Sequence, residues 1–198
     1  MSYLSIVPTE VNHRTILHCS DAGVAYPDRE GCSWASTPLA CLSAATEYLY
    51  GTVILYLTKP SSLEADPLIE LCSLLKHNRH TRHAAVLAVC TARNRRTVES
   101  LKTAGADFVV FRNDLPAFWK DGGPVSPLNQ LKEENRPEQV LSRLCRHLHY
   151  SPTPQGNELI TCGACSDWLV LGPRRLGELC ETSRHPDCPH FQHPRFPK

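Results

Sequence analysis

The sequence predicts an α/β protein with three layers, in which a parallel sheet is covered by helices on both faces. Short apolar runs such as residues 53–57 (VILYL) carry no charge, as is usual for strands buried on both faces of a parallel sheet. Segments with apolar residues at helical spacing alternate with these runs, which is typical of right-handed β-α-β crossovers. Four clustered cysteines between residues 162 and 188 indicate an additional small C-terminal module.

Length, charge and the N-terminal residues narrow the class of protein. The 198 residues suffice for one ordinary domain plus a small appendage. The 21 Lys+Arg balance 20 Asp+Glu, so the overall charge does not favour nucleic acid or a membrane as partner. Residues 1–14 lack the basic start and apolar core of a signal peptide, and no run approaches the ~20 apolar residues of a membrane span. We therefore expect a soluble cytoplasmic protein whose ten cysteines are thiols or metal ligands.

The first half of the chain predicts three strands and two helices. Pro38 suits a first helical turn, and the helix that follows ends at Gly51. Asp66 is a candidate N-cap before Pro67, and apolar residues recur at helical spacing up to residue 77. The predicted strands cover residues 15–19, 32–36 and 52–57.

The second half continues the alternation and then changes character. Residues 84–90 and 107–111 predict strands, and between them a helix over 94–105 ends at Gly105. Residues 112–137 are rich in proline, glycine and charge and predict a loop insertion. The apolar face of residues 137–150 predicts a last helix, which completes a domain over 14–150. A linker over 151–157 and a small Cys/His module over 158–198 follow.

Residues 14–150 resemble the receiver domain of bacterial two-component response regulators. VILYLTKP (53–60) resembles the third strand of that family, which ends in aspartate, three residues and then proline. Residues 66–92 resemble the next helix, a loop rich in Arg and His, and a fourth strand that ends in a hydroxyl residue, here Thr91. LKTAGADFVV (101–110) resembles the Ala-Gly-Ala-Asp step into the fifth strand. The resemblance implies a flavodoxin-like sheet and a role in signal transduction or a phosphorelay.

The chemistry of that family is mostly missing at the matching positions. Tyr56 stands where the family has its phosphoacceptor aspartate, and an unperturbed phenol with a pKa of about 10 is a poor nucleophile at neutral pH. The acidic pair that holds Mg²⁺ is reduced to at most one carboxylate, and the lysine after the fifth strand is replaced. Phosphoryl transfer needs the nucleophile, the metal and the cation together. We therefore expect a degenerate phosphorylation pocket at Ser20, Asp21, Tyr56, Thr91 and Phe111, in which only Thr91 keeps the family's residue type.

The cysteine pattern of residues 158–198 predicts a metal site. Cys162 and Cys165 can place both thiolates on one tetrahedral ion through a tight turn, and Gly163 eases that turn. A segment of about 40 residues buries too little surface to fold alone, and a bound metal would explain its folding. We expect structural zinc, with an iron–sulfur cluster as the alternative. The predicted ligands are Cys162, Cys165, Cys180 and Cys188, with His185, His190 and His193 as alternates.

These features favour a non-enzymatic regulatory protein that binds a protein partner, or a second copy of itself through the receiver-like domain. No Ser-His-Asp order, glycine-rich phosphate loop or convincing carboxylate pair supports catalysis. One alternative is a transcription regulator of zinc-ribbon type, against which the balanced charge and the lack of a recognisable recognition helix argue. Another is an iron–sulfur or thiol redox protein, although the Cys-Gly-Ala-Cys run is followed by strand-like residues rather than by the helix that a redox pair needs.

Overall fold

The main sheet has the strand order that the sequence predicts for the α/β fold class. The computed structural model describes residues 16–20, 31–58, 66–112, 131–153, 158–164 and 168–195. Its five parallel strands lie in the order β2-β1-β3-β4-β5, which is the flavodoxin-like order. The strands are β1 (Ile16–Ser20), β2 (Cys32–Ala35), β3 (Thr52–Leu57), β4 (Ala85–Cys90) and β5 (Phe108–Phe111). The predicted fold class is therefore confirmed.

The predicted helix starts are also present. The main domain has helices α1 (Pro38–Glu47), α2 (Pro67–His77), α3 (Arg95–Ala104) and α4 (Pro137–Ser142). Asp66 caps α2 by accepting a hydrogen bond of 2.9 Å from the backbone N–H of Leu68. Asn94 caps α3 in the same way, with the N–H of Thr97 at 3.2 Å. No described helix is both long and apolar enough to cross a membrane.

Both faces of the sheet are buried. Leu55 of β3 packs on one face with the helices, together with Leu71 of α2 and Leu101 of α3. Ile54 and Tyr56 alternate with Leu55 on the opposite face, and both are fully buried. Alternate residues of β3 thus face two different cores, which explains why its sequence is apolar throughout.

The Ala-Gly-Ala-Asp step has a structural role. Gly105 ends α3 with φ of 87°, a conformation that favours glycine, and a Cβ there would lie 3.3 Å from Lys76 Cγ. The Asp107 carboxylate accepts hydrogen bonds from the backbone N–H of Val86 at 2.7 Å and from Lys76 Nζ at 2.9 Å. The motif therefore joins α2, β4 and β5 at the amino end of the strands.

The predicted helix over residues 137–150 is wrong beyond Ser142. Leu148–Pro152 form strand β6, which pairs antiparallel with β7 (Glu158–Cys162). The backbone N–H of Cys145 donates to the carbonyl of Cys180 at 2.8 Å, so the chain leaves the helix to meet the C-terminal segment. Pairing of β6 with β7 and the contact with Cys180 here prevail over helical apolar spacing.

The second sheet is antiparallel, in the order β6-β7-β8, with β8 at Leu169–Val170. Thr161 pairs with Val170 and Cys162 with Leu169 across β7 and β8. Short helical segments follow: α5 (Pro173–Arg175), a π-helical turn (Leu176–Cys180), a 3-10 turn (His185–Asp187) and α6 (Pro189–Gln192).

Several predicted features lie partly or wholly outside the described residues. The first crossover (21–30) and residues 113–130 of the predicted insertion fall there, and Glu133–Asn135 form a 3-10 turn. Of the predicted linker 151–157, residues 151 and 152 belong to β6, and residues 154–157 are outside the described ranges.

Candidate functional sites

Tyr56, at the position of the family's phosphoacceptor, is part of a buried aromatic layer. Its side chain is fully buried, and its hydroxyl forms a hydrogen bond of 3.0 Å with His18 Nδ1. Trp34 stacks on His18 with ring centroids 4.1 Å apart. Burial lowers the pKa of His18 to about 3, so the imidazole is neutral at physiological pH. This neutral, water-free environment suits packing rather than nucleophilic chemistry.

The other predicted pocket residues are also engaged in structure. Ser20 is buried and pairs with Tyr56 in the β1–β3 register. The Thr91 hydroxyl donates to the carbonyl of Thr58 at 3.2 Å. Phe111, half-buried at the end of β5, lies 5.6 Å from the Arg93 guanidinium. Asp21 lies outside the described residues.

The turn between β4 and α3 is the place where the C-terminal part of the chain contacts the parallel-sheet domain. We call Arg93–Arg95 the docking turn. Arg93 Nη1 donates to the carbonyl of Glu181 at 3.1 Å, and Asn94 Nδ2 contacts both carboxylate oxygens of Glu158 at 2.9 and 3.0 Å. The backbone N–H of Arg95 donates to the Tyr150 hydroxyl at 3.1 Å. Three consecutive residues thus bind three separate points of the C-terminal part.

The middle residue of the docking turn is shielded from solvent, whereas Arg93 is exposed. Asn94 is only 2% exposed, and its side chain caps α3 while it holds Glu158. Burial raises the pKa of the Glu158 carboxyl, and the hydrogen bond from Asn94 offsets part of that rise. Arg95 Nη1 also donates to the carbonyl of Leu144 at 2.6 Å. The turn therefore binds both the end of α4 and the second sheet.

Replacing Asn94 by aspartate is expected to weaken this contact by about 2 kcal/mol. Aspartate still caps α3, but it removes both donors to Glu158 and places two carboxylates against each other. The measurement is urea unfolding together with hydrogen exchange of the β7 amides.

The matched control exchanges the amide and the carboxylate between positions 94 and 158. Asn94→Asp combined with Glu158→Gln again pairs an amide with a carboxylate, and we expect it to recover most of the lost stability. A single variant within about 0.5 kcal/mol of the natural chain would show that the contact does not hold the second sheet.

Four cysteines are buried in the C-terminal part of the described chain. We call Cys145, Cys162, Cys180 and Cys188 the thiol cluster; each is 5–7% exposed. The first three belong to one apolar core, which also includes residues of β6 and of the segment after β8. Arg175 Nη2 donates to Cys188 Sγ at 3.6 Å.

The thiols of this cluster influence one another electrostatically. Burial raises the pKa of Cys180 to about 12, and the other three thiols add to the rise. Burial also raises the pKa of Cys145, as do Cys162 and Cys188. For Cys188 burial opposes ionisation, but the hydrogen bonds from Arg175 and from two backbone N–H groups outweigh it and lower the pKa.

Three of the four predicted ligands, Cys162, Cys180 and Cys188, are buried in the C-terminal part, and Cys145 lies in the same apolar core as Cys162 and Cys180. The fourth predicted ligand, Cys165, lies outside the described residues. Cys145 fitted the apolar face of the predicted helix 137–150, and this assignment concealed its position beside the other cysteines. Soft thiol donors suit zinc or an iron–sulfur cluster. Within the described ranges, however, no three His, Cys, Asp or Glu side chains form a group that could hold a metal ion.

The alternate histidines have different surroundings. His185 is buried, with Nδ1 at 3.0 Å from the carbonyl of Thr182 and its ring against Phe191. His190 is half-buried and His193 is exposed. A carbonyl on Nδ1 of His185 leaves Nε2 as its candidate donor to a metal.

The solved structures that are similar to this chain include receiver domains of response regulators. The isolated REC domain of RcsB from Salmonella enterica serovar Typhimurium is 14% identical, with 61% of this chain and 91% of that chain covered and a TM-score of 0.41. The chemotaxis response regulator CheY4 of Vibrio cholerae is 11% identical over 59% of this chain and 97% of that chain, also with a TM-score of 0.41. A CheY-like receiver domain protein from Methanospirillum hungatei JF-1 is 13% identical over 59% and 91% of the two chains, with the same score. No protein-family model and no curated protein sequence matches the chain. At these scores the fold assignment rests on the strand order of the chain itself.

Proposed function

We propose that this chain is a non-enzymatic regulatory protein, in which a receiver-like domain without phosphoryl chemistry carries a zinc-stabilised module that binds a protein partner. The observation that carries the proposal is the environment of Tyr56. A fully buried phenol, bonded to a neutral histidine, occupies the position that would have to present a reactive carboxylate to solvent.

The other described pocket residues support a receiver-like domain that is not phosphorylated. Aspartyl phosphorylation needs a carboxylate nucleophile, Mg²⁺ on hard oxygen ligands and a cation for the phosphoryl oxygens. Among the described pocket residues none is a carboxylate, and the Thr91 hydroxyl is bonded to the end of β3. In this proposal the parallel-sheet domain serves to hold the docking turn in place.

The C-terminal module is proposed to be held by zinc. Cys162, Cys165, Cys180 and Cys188 are the ligands that the spacing favours, and thiolates are the donors that structural zinc prefers. The hydrogen bond from Arg175 to Cys188 is the kind of outer contact that orients a ligating sulfur. An iron–sulfur cluster would instead give the purified protein a brown colour.

A protein partner is supported by the surface of the second sheet. Leu159 of β7 is 41% exposed, and Trp168, Leu169 and Val170 at the neighbouring edge strand are 48%, 37% and 59% exposed. Grouped apolar side chains of this kind mark interaction surfaces more often than isolated ones do. Among the described residues of this surface, none points to a small-molecule substrate.

The expected result with acetyl phosphate and Mg²⁺ is that the chain gains no phosphoryl group. Intact-protein mass spectrometry measures the adduct, and a receiver domain that keeps its aspartate serves as the positive control in the same reaction. A stable phosphoryl adduct on this chain, removed by the hydroxylamine treatment that cleaves acyl phosphates, would contradict the proposal.

A further inference from the structure

We infer that a cleft beside β5 binds a small organic phosphate, that is, a phosphate monoester on an apolar or aromatic body. The cleft has a volume of about 590 Å³, which is in the range of small-molecule sites, and every residue that lines it lies within the described ranges. β5 is an edge strand of the parallel sheet, and the lining also includes residues of the 3-10 turn and of α4. Of the described residues of the predicted phosphorylation pocket, only Phe111 lines the cleft.

Part of the lining is apolar. Val109 and Phe111 come from β5, and Leu131 and Val140 come from the segment that returns along this edge of the sheet. Val109 and Val140 belong to the core beneath the helices, whereas Leu131 packs against the core of the opposite face. The cleft therefore lies where the two cores meet at the edge of the sheet. Phe111 and Leu131 are half-buried and offer apolar surface to the body of a ligand.

Four cationic side chains line the same cleft, and they come from four different places in the chain. Arg93 belongs to the docking turn, Arg112 follows β5, Lys132 precedes the 3-10 turn and Arg143 follows α4. All four are exposed. Among the described lining residues Glu134 is the only carboxylate. The cleft therefore concentrates positive charge, although the formal net charge of the whole chain is only +1.

Two of the four cations have no carboxylate partner among the described residues. Arg143 is balanced, because its Nη2 lies 3.1 Å from a carboxylate oxygen of Glu134. Arg93 and Lys132, in contrast, form no ion pair within the described ranges. An anion in the cleft would supply the missing partner.

Local contacts hold these two cations at the cleft. The guanidinium of Arg93 lies 5.6 Å from the ring centroid of Phe111, and its Nη1 donates to the carbonyl of Glu181 at 3.1 Å. The backbone N–H of Lys132 donates to Asn135 Oδ1 at 3.1 Å, which fixes the start of the 3-10 turn. A guanidinium has five N–H donors, so Arg93 can bind phosphate oxygens while it keeps its contact with Glu181.

The charge and the shape of the cleft favour a small phosphate monoester. A phosphate monoester carries a charge of about −1.5 to −2 at pH 7, whereas a carboxylate carries a single negative charge. Guanidinium groups also match the geometry of phosphate oxygens. The concave shape suits a small molecule better than the flat surface of a folded partner.

Calorimetric titration of the full chain with phenyl phosphate tests this assignment. We expect saturable binding with a dissociation constant below about 1 mM, weakened by added salt. Inorganic phosphate lacks the ring and benzoate lacks the second charge, so each is expected to bind about fivefold more weakly or worse. Absence of saturable binding of phenyl phosphate would overturn the site. Benzoate that binds as tightly as phenyl phosphate would overturn the assignment to phosphate.

Two double variants locate the site. Arg112→Gln combined with Lys132→Gln is expected to weaken binding of phenyl phosphate about tenfold or more. Arg79→Gln combined with Arg82→Gln removes the same charge from exposed positions before β4 and is expected to bind like the natural chain. Equal loss of affinity in both double variants would show a general effect of charge and would overturn the site.

A second measurement needs no variant. In the NMR spectrum of the natural chain, phenyl phosphate is expected to shift the amides of Val110, Arg112 and Lys132 and to leave that of Val86 in place. Saturable binding that leaves the first three amides unshifted would place the ligand elsewhere and overturn the site. A phosphotyrosine peptide that binds more than about tenfold more tightly than phenyl phosphate would replace the small molecule by a protein partner. None of these results bears on the zinc content of the chain, so failure of the cleft leaves the proposed function standing.

Discussion

Replacing Tyr56 by aspartate is expected to destabilise the parallel-sheet domain by about 4 kcal/mol or more and not to create a phosphoryl acceptor. The substitution introduces the residue type that receiver domains have at the position resembling residue 56, but not its surroundings. It removes a fully buried ring that packs with Ile54 and Val89, and it breaks the hydrogen bond to His18. The new carboxylate would lie in an apolar layer beside a neutral imidazole.

The matched control for this prediction is Tyr56→Phe. It keeps the ring and removes only the hydroxyl, so we expect a loss of about 1 kcal/mol. Urea unfolding followed by far-UV circular dichroism gives both values. A Tyr56→Asp chain as stable as the Tyr56→Phe chain, or one that takes a phosphoryl group from acetyl phosphate, would show that the layer around residue 56 is open to water.

If the proposed zinc is bound, its removal with a chelator is expected to release the C-terminal segment while the parallel sheet stays folded. Structural zinc contributes on the order of 10 kcal/mol to small folds that depend on it, so the effect is large. The readout is hydrogen exchange at amides that join the parts of the module: Cys145 to Cys180, Gly163 to His147, and Arg195 to Ala164. Their protection is expected to fall by about two orders of magnitude or more.

The internal reference for this experiment is the amide of Val86, which donates to Asp107 inside the main domain. Its protection is expected to persist, because β4 is buried between β3 and β5. Adding zinc back is expected to restore the module, whereas Mg²⁺, which prefers oxygen ligands, is not. Hydrogen-exchange rates of the module that do not change when the chelator is added would mean that the module folds without metal.

Much of the main domain was predictable because its signals are local. The apolar run of β3, the cap at Asp66 and the stop at Gly105 each act within a few residues of the chain. Such features predict strands, helix starts and helix ends directly.

The errors arise where distant residues decide the structure. Residues 143–150 keep the apolar spacing of a helix, but their end pairs with β7 and the N–H of Cys145 binds the carbonyl of Cys180, which lies far along the chain. For the same reason the sequence could not show that Cys145 lies beside Cys162 and Cys180. The Cys-x-x-Cys spacing, in contrast, is a local signal that the sequence shows directly.

The docking turn illustrates the same limit at the level of single residues. Asn94 is recognisable from the sequence only as a residue type that caps helices. Its second contact, with Glu158, depends on how the second sheet packs against α3. A residue that serves a local and a long-range contact at once carries a sequence signal for only the first.

The metal content of the purified full chain is the most direct test of the zinc-held module. We expect one zinc per chain, retained through gel filtration, and its loss when Cys162 and Cys180 are replaced together by serine. Cys32→Ser, purified in parallel, is expected to keep the metal. A natural chain that contains no metal and still protects the amides of Gly163 and Arg195 would contradict the zinc-held module.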